Sequence, residues 1–131
     1  MNNLEIKPPI LIVAHANLIR LTVGGKLIAL HRDELQTWAD QVYKTVLDLY
    51  KHTGQKVNFL TDLTRLEVID SDCMDIYADL LKKDLPFVQK SATFGSNITI
   101  LTAFSTLAVI SDRTNFRHFA TREEAMDWLM E

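Results

Sequence analysis

Apolar and polar positions along this chain switch between a two-residue and a three-to-four-residue period, and the switches mark its elements. ILIVA at 10–14 and LIRLTV at 18–23 are short apolar runs on either side of His15-Ala16-Asn17, which predicts a β-hairpin. Gly24-Gly25 is expected to end the second strand, and KLIAL at 26–30 is either a further short strand or the approach to a helix. From Arg32 to His52 the period becomes helical. Leu35, Trp38, Val42, Val46, Leu49 and Tyr50 form one stripe, Asp33 and Glu34 sit in the first turn, Lys51 and His52 in the last, and Gly54 follows as the stop. VNFLTD at 57–62 reads as a short buried strand ending in Asp62. After a loop, a helix over 70–83 opens on Asp70 or Ser71 as N-cap and carries Cys73, Ile76, Tyr77, Leu80 and Leu81 on one side. Pro86 closes that unit, and Ala92-Thr93-Phe94 forms a strand ending at Gly95. A helix over 98–111 starts from Ser96 or Asn97, and Phe116–Phe119 is a last short strand. Thr121 and Glu124 have capping-box spacing ahead of a final helix with Ala125, Trp128 and Leu129 on one face.

Strands alternating with helices predict an α/β fold. Two strands before the first helix imply a mixed sheet that begins antiparallel and continues parallel. The 131 residues fit a single domain, 1–131, long enough to bury a core without disulfide or metal.

Charge narrows the function. The net charge of −3, with basic residues scattered along the chain, lacks the clustered cations that phosphate backbones require, so nucleic acid is not an expected partner. A lone cysteine, Cys73, favours a reducing compartment. The first residues, MNNLEIKPPILIVAHAN, lack the basic start and long apolar core of a secretory signal, and no run reaches the ~18 apolar residues of a membrane span. A cytoplasmic location is expected.

Asp70-Ser71-Asp72 invites catalytic readings that its surroundings do not sustain. A calcium loop would need Gly at Asp75 and Glu at Leu81. A phosphatase of the haloacid-dehalogenase type would need further Lys and Asp motifs downstream, and no Gly-Asp-x-x-x-Asp follows. His15, His31, His52 and His118 have no ligand spacing with Cys or carboxylate and read as surface or capping residues. Cys73 lies on an apolar stripe beside carboxylates and reads as an inert thiol. No nucleophile elbow, phosphate loop or dinucleotide fingerprint occurs. No enzyme, metal or cofactor is expected.

The stretch from Ser91 to Ser111 carries no charge, and its helical part is apolar on more than one side. Part of this belongs to the domain core. The rest predicts a homodimer interface, a pocket for an apolar small molecule or a partner site, with Leu101, Phe104, Leu107 and Ile110 as the dimer or ligand residues.

FLTDLTRLEVIDSDCMDIYADLLKK, at 59–83, resembles the hallmark of the STAS domain (sulfate transporter and anti-sigma-factor antagonist): an apolar strand, an Asp-Leu-Ser type turn, then Asp-Ser-Ser-Gly opening a helix. Here the second Ser is Asp72 and the Gly is Cys73. LPFVQKSATFG and FRHFATREEAMDWL are similar to the Lys-x-Ala strand, short Phe strand and acidic Glu-Glu-Ala-x-x-Trp-Leu helix of the SpoIIAA-like branch, the STAS/SEC14 group. The resemblance spans roughly residues 18–130 by element order. It implies a SpoIIAA-like topology and a non-enzymatic regulatory module with a protein partner, or, from the SEC14 connection, a carrier or sensor of a small apolar ligand or lipid. It also implies that Thr64, Asp70, Ser71, Asp72 and Asp75 form the partner edge, with Ser71 where a kinase would write. A phosphate adds about −1.5 to −2 charges, which Asp70, Asp72 and Asp75 would oppose. Ser71 is therefore expected to act more as a cap than as a phosphosite.

Overall fold

The computed structural model describes residues 4–6, 10–12, 17–95, 98–110 and 114–131. Among the described residues seven strands and four helices follow one another as β1 (Leu4–Ile6), β2 (Ile10–Ile12), β3 (Leu18–Leu27), α1 (Arg32–Thr53), β4 (Val57–Asp62), β5 (Leu66–Ile69), α2 (Ser71–Asp84), β6 (Val88–Phe94), α3 (Ile98–Ile110), β7 (Phe116–Phe119) and α4 (Arg122–Leu129). β3, β4, β6 and β7 pair in that order, all parallel, while β1 and β2 pair antiparallel with one edge of β3. The expected sheet, antiparallel first and parallel afterwards, is present. The β2–β3 pairing sets Ile12 opposite Leu18, as a hairpin requires. His15 and Ala16 of its turn, residues 13 and 14 of the expected first strand, and the Ser96 or Asn97 cap of α3 lie outside the described residues.

Two expectations are corrected, and one left open is settled. β3 does not stop at Gly24-Gly25 but runs on to Leu27, with a register shift between Gly25 and Lys26. Gly25 has φ +78° and donates its N–H to the Arg65 carbonyl (2.9 Å). The glycine pair is thus a bulge that bends the strand rather than ending it. Below the bulge β3 pairs with β4, above it with β5. β5 itself occupies what reads as loop in the sequence, because LEVI is too short and too exposed along its middle to show a period. Lys26 and Leu27 continue β3, and a 3-10 turn at Ala29–His31 leads into α1, which settles the KLIAL segment.

The parallel sheet is covered on both faces. Ile19, Leu21 and Val23 of β3, with Val57 and Phe59 of β4, meet Leu35, Trp38, Val42 and Val46 of α1, the Cys73–Leu81 stripe of α2, and Ile100, Phe104 and Leu107 of α3. The alternate residues Leu18, Leu60, Ala92 and Phe94 face the other way, against Ala125 and Leu129 of α4. Thr121 caps α4 by accepting the Glu124 N–H (3.2 Å). At the other end of α4 the Lys90 ammonium donates to the Trp128 carbonyl (2.7 Å) and sits over the Trp128 ring. The lysine of the Lys-x-Ala strand is thereby a C-terminal cap for the helix that the Trp-Leu motif builds. Phe119 and Trp128 pack 5.7 Å apart, both half-buried rather than fully buried.

Candidate functional site

The edge that the resemblance singles out divides into two corners. β4 ends at Asp62, whose Oδ1 accepts both the N–H (2.9 Å) and the hydroxyl (2.6 Å) of Thr64, an Asx turn that reverses the chain. Leu63 is fully buried, and its N–H reaches the Phe94 carbonyl (3.0 Å). Thr64 packs on Gly95, at the end of β6, so closely that a Cβ there would overlap its Cγ2. β5 then carries the chain four residues along β3 before α2 begins. At about 3.3 Å per residue a strand of this length separates its ends by roughly 13 Å. Thr64 therefore belongs to the Asp62–Gly95 corner. Asp70, Ser71, Asp72 and Asp75 form a second corner, at the other end of β5.

At that second corner Asp70 is the N-cap, not Ser71. Its Oδ1 accepts the Cys73 N–H (3.0 Å), and its Oδ2 accepts the Ala29 N–H (2.8 Å) from the turn after β3. The Cys73 N–H foremost, opposed by desolvation and aided by the Ala29 N–H, holds the Asp70 carboxyl below its ordinary range. One carboxylate thus caps α2 and fastens it to the exit of β3. Ser71 is the first helical residue and is exposed, as are Asp72 and Asp75. We expect Asp70→Ala to cost about 0.5–2 kcal/mol and Ser71→Ala less than about 0.5 kcal/mol in urea denaturation. Equal losses would return the cap to Ser71.

Asp72, Asp75 and Asp79 face Arg32 and Gln36 of α1 across an open groove of about 210 Å³. The two α1 residues stand some 40 positions earlier in the chain, on the polar side of an amphipathic helix, where nothing in the sequence marks them. Cys73 lies beneath this corner with no exposed surface. Burial first, then the hydrogen bond and charge of Asp70 and the charge of Asp72, push its thiol up to about 12, as its place on the apolar stripe predicts. Among the described residues no three His, Cys, Asp or Glu side chains gather to hold a metal ion. No helix among them is long and apolar enough to cross a membrane.

The apolar helix behaves differently from its expectation. Phe104 and Leu107 are fully buried, so neither is surface for a second copy. The space between α3 and the sheet is filled by the Phe104 ring, which meets Tyr77 edge-on at 5.1 Å and stacks on Phe116 at 6.4 Å. Leu101 (41% exposed) and Val109 (81%) remain on the outside, and the side chain of Ile110 lies outside what is described. The surplus of apolar positions is mostly core because α3 meets α2, β5 and β7 at once.

Two buried polar groups escaped the sequence reading. His118, read there as a surface residue, is half-buried on β7, with Nδ1 2.7 Å from the hydroxyl of fully buried Thr93. Burial pulls its pKa below the usual histidine value. The folded state therefore favours the neutral ring, and the stability this gives is lost as pH falls through about 6.5, the unfolded value. Histidine-to-glutamine substitution at 118 should flatten the fall in stability between pH 7 and pH 5, read by denaturation at each pH. An unchanged slope would place the titration elsewhere. Asp84, which no feature of the sequence singles out, is 1% exposed and lines a void of about 10 Å³ with Tyr77, Thr61 and Ser91.

A parallel sheet entered by an antiparallel hairpin, with three helices on one face and one on the other, defines the SpoIIAA-like (STAS) fold. The solved structures it matches are of that fold. The anti-sigma factor antagonist SpoIIAA in its unphosphorylated form aligns over 98% of this chain and 96% of its own, with TM-score 0.61 and 12% identity. An uncharacterized DUF3478-family protein with a SpoIIAA-like fold from Shewanella loihica PV-4 aligns over 98% and 95%, with TM-score 0.61 and 17% identity. The Bacillus cell fate determinant SpoIIAA in its phosphorylated form aligns over 97% and 99%, with TM-score 0.57 and 12% identity. No protein-family model and no curated protein sequence matches the chain. At these identities the likeness establishes the fold.

Proposed function

We propose that this chain is a non-enzymatic, cytoplasmic regulatory module that binds a protein partner through the start of α2 and the groove between α1 and α2. The observation that carries the reading is the exposed acidic corner itself. Ser71, Asp72 and Asp75 stand clear of the surface on a helix whose first turn is fixed to β3 by Asp70. Asp79 extends the acidic row, and Arg32 and Gln36 offer donors opposite. A rigid corner with three carboxylates suits a partner with a basic contact surface, since complementary charge steers association. The fold shared with anti-sigma factor antagonists supports a protein partner of this kind. Asp72, fixed where the hallmark has its second Ser, supplies permanent charge beside Ser71 and leaves the kinase step unnecessary.

Charge reversal tests this. The partner recovered with the unmodified chain from its host, once purified, should bind the unmodified chain and lose at least tenfold in affinity to Asp72→Lys/Asp75→Lys, with the fold unchanged by circular dichroism. Undiminished binding would remove the edge from the reading. Turnover of a phosphate ester by the purified chain, lost in Asp70→Asn, would remove the non-enzymatic part. The proposal includes self-association through the outer side of α3, where Leu101 and Val109 are exposed. Sedimentation of the unmodified chain as a monomer at high concentration would remove that part alone.

A further inference from the structure

On the α4 face of the sheet lies a cleft of about 200 Å³ between β3, β4 and the first turn of α4. Its existence follows from lengths. α4 has eight residues, or about 12 Å at 1.5 Å per residue, enough for two to three strands at roughly 4.8 Å spacing. It packs chiefly on β4, β6 and β7, shares a cluster with β3 at Leu18, and among the described residues leaves a gap over Arg20 and Thr22. Into this gap β3 sends Arg20 and Thr22, β4 sends Leu60 and Asp62, β6 sends Phe94, and α4 contributes Arg122, its first residue.

Among the described residues the two arginines of this cleft have no ion-pair partner, Asp62 included. Arg20 Nε is buried and has no hydrogen-bond partner. Asp62 already gives Oδ1 to Thr64. A buried guanidinium N–H without a partner is unfavourable and rare in folded proteins, and an anion is the group that satisfies it best. Two guanidiniums against one carboxylate leave the lining net positive. Leu60 and Phe94 form the apolar floor between them. The position, at the carboxyl ends of the parallel strands β4 and β6, is where open α/β sheets commonly hold ligands.

We infer that this cleft binds a small organic anion, its carboxylate or phosphate held between Arg20 and Arg122 and its apolar body resting on Leu60 and Phe94. The volume lies below the roughly 300–1,000 Å³ of sites for drug-sized molecules, so the ligand is of the size of a single substituted ring. The cleft lies on the opposite face of the sheet from α2, and its failure would leave the protein-partner reading untouched.

The test is an NMR titration of the full-length ¹⁵N-labelled chain with phenyl phosphate, benzoate, inorganic phosphate and the neutral analogue benzyl alcohol. Phenyl phosphate or benzoate should shift the amides of Thr22, Leu60, Phe94 and Arg122 and saturate in the millimolar range or below. Arg20→Met and Arg122→Met should each weaken binding at least tenfold, whereas Lys44→Met, exposed on α1 across the sheet, should not. Arg122 is exposed, so its variant decides the matter even if Arg20→Met fails to fold. No shifts at 10 mM of either organic anion would overturn the inference, as would unchanged affinity in Arg122→Met. Equal binding of benzyl alcohol would overturn the anion assignment. Inorganic phosphate binding as tightly as phenyl phosphate would overturn the role given to Leu60 and Phe94.

Discussion

Phe104→Ala is expected to destabilise the fold by about 3–5 kcal/mol, the range for emptying a fully buried aromatic site. Its ring has no exposed surface and touches two others, Tyr77 of α2 and Phe116 of β7. Removing it leaves a cavity where α3, α2 and the sheet converge, and none of the three can close it without shifting the rest. Urea denaturation with an unchanged slope would give the size. The oligomeric state by sedimentation should not change, because Phe104 is not at a surface. A loss below about 1 kcal/mol together with a changed oligomeric state would return Phe104 to the interface that the uncharged helix suggests. Leu101→Asp, on the exposed side, should cost less than about 1 kcal/mol and serves as the comparison.

The contrast between Phe104 and Leu101 shows what a pattern of apolar positions can and cannot tell. Where one side of a helix is apolar, as in α1, period alone places the core: Leu35, Trp38, Val42, Val46 and Leu49 are all buried. α3 is apolar nearly all round, so period gives no direction, and the contacts of β5 and β7 decide which residues are covered. The missed β5 has the same origin. It pairs with β3 only because Gly25 takes a left-handed conformation and bends that strand. A Gly-Gly pair reads equally well as an end or as a bulge until its partner strand is known.

The candidate site was legible where chemistry is local and illegible where it is assembled. The Asp70 cap and the exposed acids after it follow from helix-start rules acting on neighbours in sequence. Asp62 and Thr64 look contiguous with them, but a four-residue strand intervenes. Arg20 reads as one polar position in an alternating strand. Only the brevity of α4, about a hundred residues later, leaves that arginine facing a cleft. Asp84 and His118 are likewise charged or ionisable residues whose burial is decided by elements far away in sequence.

Gly95→Ala should cost about 2–5 kcal/mol, and the cost should depend on Thr64. Gly95 sits at φ +68°, where a Cβ carries roughly 1–2 kcal/mol of its own. The new methyl would also overlap Thr64 Cγ2, with Thr64 Cβ at 3.3 Å behind it. Thr64 cannot swing away freely, since its hydroxyl and N–H are both held by Asp62 Oδ1. Overpacking of this kind adds about 1–3 kcal/mol. Thr64→Ser removes the overlapping methyl and keeps the hydroxyl on Asp62. In that background Gly95→Ala should therefore cost only about 1–2 kcal/mol, the backbone share. A double-mutant cycle by urea denaturation should return a coupling of about 1 kcal/mol or more between positions 64 and 95. Strict additivity would mean that the two ends of β4 and β6 are not locked together. The Asp62 corner would then be free to move independently of β6, and the cleft beside it would have no fixed shape to offer a ligand.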